Sequence, residues 1–306
     1  MHRLNIIRSA LASLIFGCVL LLAISSRPTI AEQSCSGDCV PVGSWHFKVS
    51  LGYGQRSNPV IGQDDIDYYI VPEISYYGKR FFLDSWDLGY TLVDKEQHQV
   101  NAILLSAGFE QAFFGEWSLN NVDLSSYTYA NPNVEASVPP TSDGGEPTEA
   151  PSPEELDIEQ LHERDTAGLS GFEYTYMHQY FDWQTQVLQD VTGVHKGQKV
   201  RTALTFPYRQ NKNFWALTSG LTWQSSRLID YYYGVTESEA LRPSQIYHAP
   251  SSTSFFIKGE WERPLTKHFG VRAVASYKWL GKGVTDSPLV EEDTVLTWFV
   301  AGVYHF

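Results

Sequence analysis

The 306-residue chain has little sulfur and little charge: 3 Cys, 2 Met, and 22 basic against 35 acidic residues in a composition only 19% charged. Each scarcity excludes something. Beyond the first thirty positions no apolar run approaches the roughly 20 residues that a membrane helix needs, so a bundle of transmembrane helices is ruled out. Three cysteines cannot make a disulfide-dense scaffold. The shortage of Lys and Arg, with a net charge of -13, leaves a surface that repels nucleic acid phosphates. Neither Gly-x-Ser-x-Gly nor His-Glu-x-x-His occurs. His195 lies near Asp190 and Thr192, and His248 near Ser251 and Ser252, but neither spacing matches a catalytic motif. The stretch from Asp190 to Gly197 reads instead as a Gly-punctuated turn whose Asp and Thr cap local backbone groups. No catalytic residue, metal ligand or cofactor is expected.

What the chain does have is aromatic side chains: 18 Tyr, 16 Phe and 9 Trp, with 23 Gly, a balance that favours strands and tight turns. The N-terminus sets the compartment. Arg3 and Arg8 precede an apolar stretch from Ala10 to Ile24, and Thr29-Ile30-Ala31 supplies a small-residue cleavage site, the pattern of a secretory signal peptide over 1–31. Its loss, with Arg3, Arg8 and Arg27, takes the net charge from -13 to -16. Cys18 belongs to the signal core. Cys35 and Cys39, with Gly37 between them, suit a small disulfide loop in an N-terminal segment over 32–43. A redox or metal role is the alternative, and the absence of clustered His or further Cys favours the staple.

From residue 44 onward the pattern has a period of two. Trp45, Phe47, Val49, Leu51 and Tyr53 alternate with His46, Lys48, Ser50, Gly52 and Gly54, and similar alternation recurs to the end of the chain. Alternation alone also suits a soluble sandwich. The aromatics favour a membrane barrel, because Trp45, Tyr53, Trp215, Trp223, Trp261, Phe269 and Trp279 fall at strand ends on the apolar face, where girdles meet the two interfaces. The last strand places Leu296, Trp298, Val300, Gly302, Tyr304 and Phe306 on one face, and Trp298, Tyr304 and Phe306 resemble the terminal aromatic signal for assembly of bacterial outer-membrane barrels.

Twelve strands are predicted within 44–306, making an all-β, antiparallel transmembrane barrel, with ten as the fallback count. A single strand over 79–93 would give eleven, against the even number usual for bacterial barrels. Twelve places Gly78, Asp94 to Gln97, Arg209 to Lys212 and Pro264 to Lys267 in short periplasmic turns and every long connection outside. The longest, about 111–167, includes a Pro- and acid-rich stretch over 131–155 that cannot bury a core. A short helix is predicted from Glu154 to Arg164. By alternation the lumen receives Lys48, Arg201, Lys258, Arg272 and Lys278 against Glu73, Asp87, Glu173, Asp182 and Glu260, and these are expected to pair across strands and close much of the cross-section.

Several segments resemble the MltA-interacting protein (MipA/OmpV) family of Gram-negative outer-membrane proteins. They are Gly78-Lys-Arg-Phe-Phe82 with Leu88-Gly-Tyr-Thr-Leu92; Leu161-His-Glu-Arg-Asp165; Asp190-Val-Thr-Gly-Val-His-Lys-Gly197; Tyr232-Tyr-Gly-Val-Thr236 with Glu239-Ala240; Asp286-Ser-Pro-Leu-Val290; and Gly302-Val-Tyr-His-Phe306. The insert at 131–155 departs from the family pattern. The resemblance implies a barrel among outer-membrane lipids and a scaffold linking a murein-degrading lytic transglycosylase to a murein-synthesising penicillin-binding protein. A narrow porin-like channel and a surface adhesin are the alternatives.

Overall fold

A computed structural model describes residues 42–108, 110–114 and 161–306. The proposed signal peptide, Cys35, Cys39 and the 131–155 insert lie outside the described residues. Twelve antiparallel strands close on themselves: β1 (Trp45–Arg56), β2 (Ile66–Tyr77), β3 (Phe81–Asp84), β4 (Asp87–Lys95), β5 (His98–Ala107), β6 (Gly168–His178), β7 (Phe181–Asp190), β8 (Gln198–Gln210), β9 (Asn213–Gln224), β10 (Ser252–Pro264), β11 (Phe269–Trp279) and β12 (Thr294–His305). Each strand pairs with its sequence neighbours, and β1 closes the ring on β12, from Lys48 opposite His305 to Arg56 opposite Thr297. Closure satisfies backbone groups that lipid cannot, which is why a barrel can cross a bilayer where an open sheet cannot. No helix among the described residues is long and apolar enough to cross a membrane.

The alternating pattern becomes two faces. Leu51, Phe172, Val187, Leu221 and Val300 point outward and are exposed, while Lys48, Ser50, Thr218, Arg272 and Val303 point inward and are buried. Aromatics cluster near both rims of the outer face: Trp215 lies 5.8 Å from Trp261 and Trp45 5.0 Å from Tyr76 at one end, Phe255 5.2 Å from Trp279 and Tyr53 5.3 Å from Trp298 at the other.

The region 79–93 is divided as predicted. Ser85, at a φ of 53°, turns the chain between β3 and β4. Because β3 has only four residues, β2 pairs with it through Ser75, Tyr76 and Tyr77 alone. Pro72, which has no N–H to donate, falls on the stretch of β2 that has a single strand neighbour.

Two expected boundaries differ. Strand β5 ends at Ala107 rather than at 110, because Gly108 bonds across to Ala167 (2.8 Å) and Glu110–Phe113 turns inward as a short 3₁₀ segment. Residues 161–164 are not helical; Arg164 and His162 are drawn instead to Glu239.

One end of the barrel carries only short turns, and the long connections lie at the other. There α1 (Ser226–Tyr233) and the one-turn α2 (Lys282–Thr285) pack over the mouth. Leu228, Ile229, Tyr232, Tyr233, Ala249 and Val284 form the core of this cover. A second apolar cluster, with Val60, Ile66, Tyr68, Val71, Phe113 and Phe299, fills the lumen below it on the β1–β2–β12 side. Among the described residues, these two clusters occupy much of the barrel interior towards that end.

Candidate functional site: a charge belt, a chamber and a lid

Strand register builds the first feature. Lys48 faces Glu73 across β1 and β2, and Glu262 faces Arg272 across β10 and β11. Between them β12 places the small Ala301 opposite Arg272 and His305 opposite Lys48, with Val303 in between, and His305 Nε2 lies 3.8 Å from Glu262. Lys48 Nζ lies 3.1 Å from Glu73 and 3.4 Å from Glu262. Arg272 donates to Glu73 and, at 2.8 Å, to Glu260, which lies 3.4 Å from Lys258 Nζ. A chain of six alternating charges thus crosses the lumen from β2 to β10. Such a chain is stable only when complete, because removing one member leaves a buried charge without a partner.

The other lumen charges are arranged differently. Glu173 accepts from Asn101 (2.9 Å) and Gln186 (2.7 Å), so amides rather than a cation satisfy it. Asp87 sits opposite Asp84 in the β3–β4 hairpin, and Asp182 makes no ion pair among the described residues. Arg201 lies over the Phe256 ring, 4.7 Å from its centroid, and Lys278 lies further up β11. Outside the belt, these acids lie on β4, β6 and β7 and these bases on β8 and β11. Of the ten lumen residues read from the sequence, Lys48, Glu73, Lys258, Glu260 and Arg272 meet; Asp87, Glu173, Asp182, Arg201 and Lys278 do not join them. Glu262 was missed, although it follows Glu260 by two positions and so shares its face.

Above the belt lies a chamber of about 100 Å³, lined on one side by Arg201, Lys258 and Lys278 and on the other by Arg56 and Phe113. Glu110 enters it from the inward-turned segment and is bound by Lys199 (2.9 Å) and Gln224 (2.7 Å). Burial alone would raise the Glu110 carboxyl; the adjacent Lys199 ammonium outweighs it and holds the group below the usual carboxylate range.

The lid is a hydrogen-bonded structure in its own right. Asp190 accepts four backbone N–H groups, from Thr192 (2.8 Å), Gly193 (3.1 Å), His195 (2.8 Å) and Lys196 (2.7 Å), as well as the Thr192 hydroxyl (2.8 Å). This is the capped turn read from the sequence. His195 is buried, which lowers its pKa, and its Nδ1 accepts the Gly197 N–H at 2.8 Å. A neutral ring with that nitrogen occupied is a structural part, packed edge-on to Tyr232. Glu239 accepts from the Thr236 N–H (2.9 Å) and hydroxyl (2.8 Å) and the His162 N–H (3.1 Å), and forms an ion pair with Arg164 Nη2 at 3.0 Å. Burial would raise the Glu239 pKa, but the hydrogen bonds from Thr236 and His162 pull it down to about 2. Tyr232 donates to the Asp165 carbonyl (2.9 Å), and Ser287 to the Tyr233 carbonyl (2.6 Å). Four of the segments that carry the family resemblance, around Arg164, Asp190, Tyr232 and Ser287, therefore meet in one lid. Trp298, Tyr304 and Phe306 occupy the outward face of the barrel, with Tyr304 edge-on to Phe306 at 4.8 Å. Among the described residues there is no group of His, Cys, Asp and Glu able to hold a metal ion.

Residues 49–306 match the sequence profile described as MltA-interacting protein MipA. The "Putative outer membrane protein YiaT" of Escherichia coli K12 is 22% identical over 92% of this chain and 96% of its own length. The "MltA-interacting protein" of the same organism is 23% identical over 80% of this chain and 84% of its own. Outer membrane protein Omp26La of Vibrio anguillarum is 33% identical over 29% of this chain and 34% of its own. Among solved structures, the Pseudomonas putida toluene transporter TodX aligns with a TM-score of 0.32 and 9% identity, covering 92% of this chain and 94% of that one. The relatives are named as outer-membrane or interacting proteins and not as enzymes. With the closed twelve-stranded barrel and the profile match over most of its length, this chain is an outer-membrane protein and belongs to the MltA-interacting protein (MipA) family.

Proposed function

We propose that the chain is a non-catalytic interaction protein of the cell envelope: a closed barrel that anchors a murein lytic transglycosylase at the outer membrane and brings a penicillin-binding protein to it. The observation that carries this reading is the lumen itself, crossed by the Lys48–Glu73–Arg272–Glu260–Lys258 chain with Glu262 and capped by the lid. A barrel filled in this way serves as an anchor more readily than as a conduit. The name of the E. coli relative supports the choice of a transglycosylase as partner. The barrel offers the periplasm little beyond short turns, so the contact surface is the rim together with the segment before residue 44, expected to be periplasmic after signal removal.

Crosslinking in intact cells followed by affinity capture from membranes tests this. Recovery of a lytic transglycosylase is the expected outcome, and a penicillin-binding protein is expected with it. Repeated crosslinked preparations that yield neither would sink the anchor reading. The chamber favours a second reading, a narrow channel, since it interrupts the packing with a polar space lined by cationic groups.

A further inference from the structure

On one arc, the short-turn end of the barrel carries a charge opposite to that of the whole chain. The sequence has 35 acidic against 22 basic residues, yet 208–215 and 263–271 together contain Arg209, Lys212, Arg263 and Lys267 and no acid. These stretches are neighbours in the barrel, since β9 and β10 pair from Gln224 opposite Ser252 down to Phe214 opposite Glu262. Glu262, the nearest acid in sequence, faces the lumen, where Lys48 lies 3.4 Å from it. Arg209 keeps to the same inner face, over the Phe214 ring at 5.6 Å from its centroid. Lys212, Arg263 and Lys267 are exposed, and no ion pair or hydrogen bond among the described residues engages their side chains.

Aromatics fix the depth of this patch. Trp215 and Trp261 lie 5.8 Å apart on the outer face, and the Trp261 indole N–H donates to the Asn213 side-chain oxygen at 3.3 Å. Trp rings on a barrel's outer face sit where acyl chains give way to headgroups. Arg263 follows Trp261 by two positions on the same strand face, a step of about 7 Å towards the turn, which brings its guanidinium to the level of lipid phosphates. In the turn beyond, Leu265 is exposed beside Lys267, and the Leu265 and Thr266 N–H groups both donate to the Phe269 carbonyl (2.8 and 2.9 Å).

We propose that the outward rim formed by Lys212, Arg263 and Lys267 is a docking surface for anionic phospholipid headgroups of the phosphatidylglycerol class in the periplasmic leaflet. Each base at a negatively charged bilayer surface adds attraction that a zwitterionic lipid does not offer. Arg263 presents paired N–H donors that match two oxygens of one phosphate, and the lysines in the two turns supply point charges on either side of it. Murein is anionic too, through its carboxylates, but it has no acyl part to match the Trp pair and Leu265 that border these bases. The surface goes beyond the anchoring of murein enzymes and stands without it.

Native mass spectrometry of the mature protein in detergent, presented with equal amounts of phosphatidylglycerol and phosphatidylethanolamine, tests the proposal. Retained phosphatidylglycerol is expected to exceed phosphatidylethanolamine at least about fivefold. Lys212→Gln/Arg263→Gln/Lys267→Gln should abolish the preference, whereas Lys196→Gln/Arg227→Gln/Lys282→Gln, an equal loss of charge at the lid end, should leave it unchanged. Heat-modifiable migration on gels establishes that each variant is folded, and Arg263→Gln alone should lower the preference at least about twofold if the triple rim variant does not fold. No preference in wild type, or an equal loss in both triple variants, would overturn the surface. Salt-sensitive cosedimentation with isolated murein sacculi that only the rim variant loses, with its lipid preference intact, would overturn the assignment to lipid and give the surface to murein.

Discussion

Glu239 shows how much a single side chain can organise. It is 3% exposed and ties two separate stretches together, taking hydrogen bonds from His162 and Thr236 and pairing with Arg164. Glu239→Gln keeps the shape and the acceptor oxygen but loses the charge opposite Arg164, and should loosen the lid by about 2 kcal/mol. Hydrogen exchange in peptides covering 161–165 and 234–240 reads this directly. The pH dependence has a definite sign. A carboxyl whose pKa is lowered from 4.5 to about 2 on folding contributes stability that is fully present above the higher value and is lost as pH falls through the lower one. Wild-type protection should therefore hold from neutral pH to about 4.5 and decline towards pH 2, and the decline should be absent in Glu239→Gln. None of this was legible beforehand. Glu239 was visible only as part of a family resemblance, since a capping role depends on which chain segments meet. The Asp190 turn was legible because Asp, Thr and Gly stand within a few residues and cap their own backbone.

At the scale of elements, the seam between β1 and β12 depends on close approach. A Cβ at Gly54 would meet the Trp298 carbonyl oxygen and come within 2.7 Å of the Phe299 Cα, both backbone atoms that cannot move aside cheaply. Gly259 faces open space. Gly54→Ala should destabilise the barrel by about 3 kcal/mol, while Gly259→Ala should be neutral or slightly stabilising. Urea unfolding followed by heat-modifiable gel migration separates the two, and equal stability of both variants would contradict the seam argument. The strands themselves were readable because alternation is a local property: a period of two fixes which residues face lipid whatever the rest of the barrel does. Residues 79–93 divide at Ser85, where a left-handed turn folds the chain back. The inward turn at Glu110 was not readable, because its cause lies in Lys199 and Gln224, about ninety residues and more away.

For the whole molecule, the alternating pattern identified which charges enter the lumen but not how they meet. Lys48 reaches past β12 and β11 to Glu262, and Arg272 past β12 and β1 to Glu73; such pairings depend on register and on the small Ala301 and Val303 along the way. Arg201 and Lys278 have the same alternation yet stand a few residues higher, where they line a chamber instead of the belt. The aromatic content with which the chain was first characterised becomes two outer girdles, and its scarcity of basic residues is reversed locally, since many of the bases it has are gathered inside. Planar-bilayer recording on the purified, refolded protein tests the closed lumen most directly. The belt and lid predict no steady conductance at neutral pH. A steady, reproducible single-channel conductance from the wild-type protein would contradict them and make the channel reading the better one.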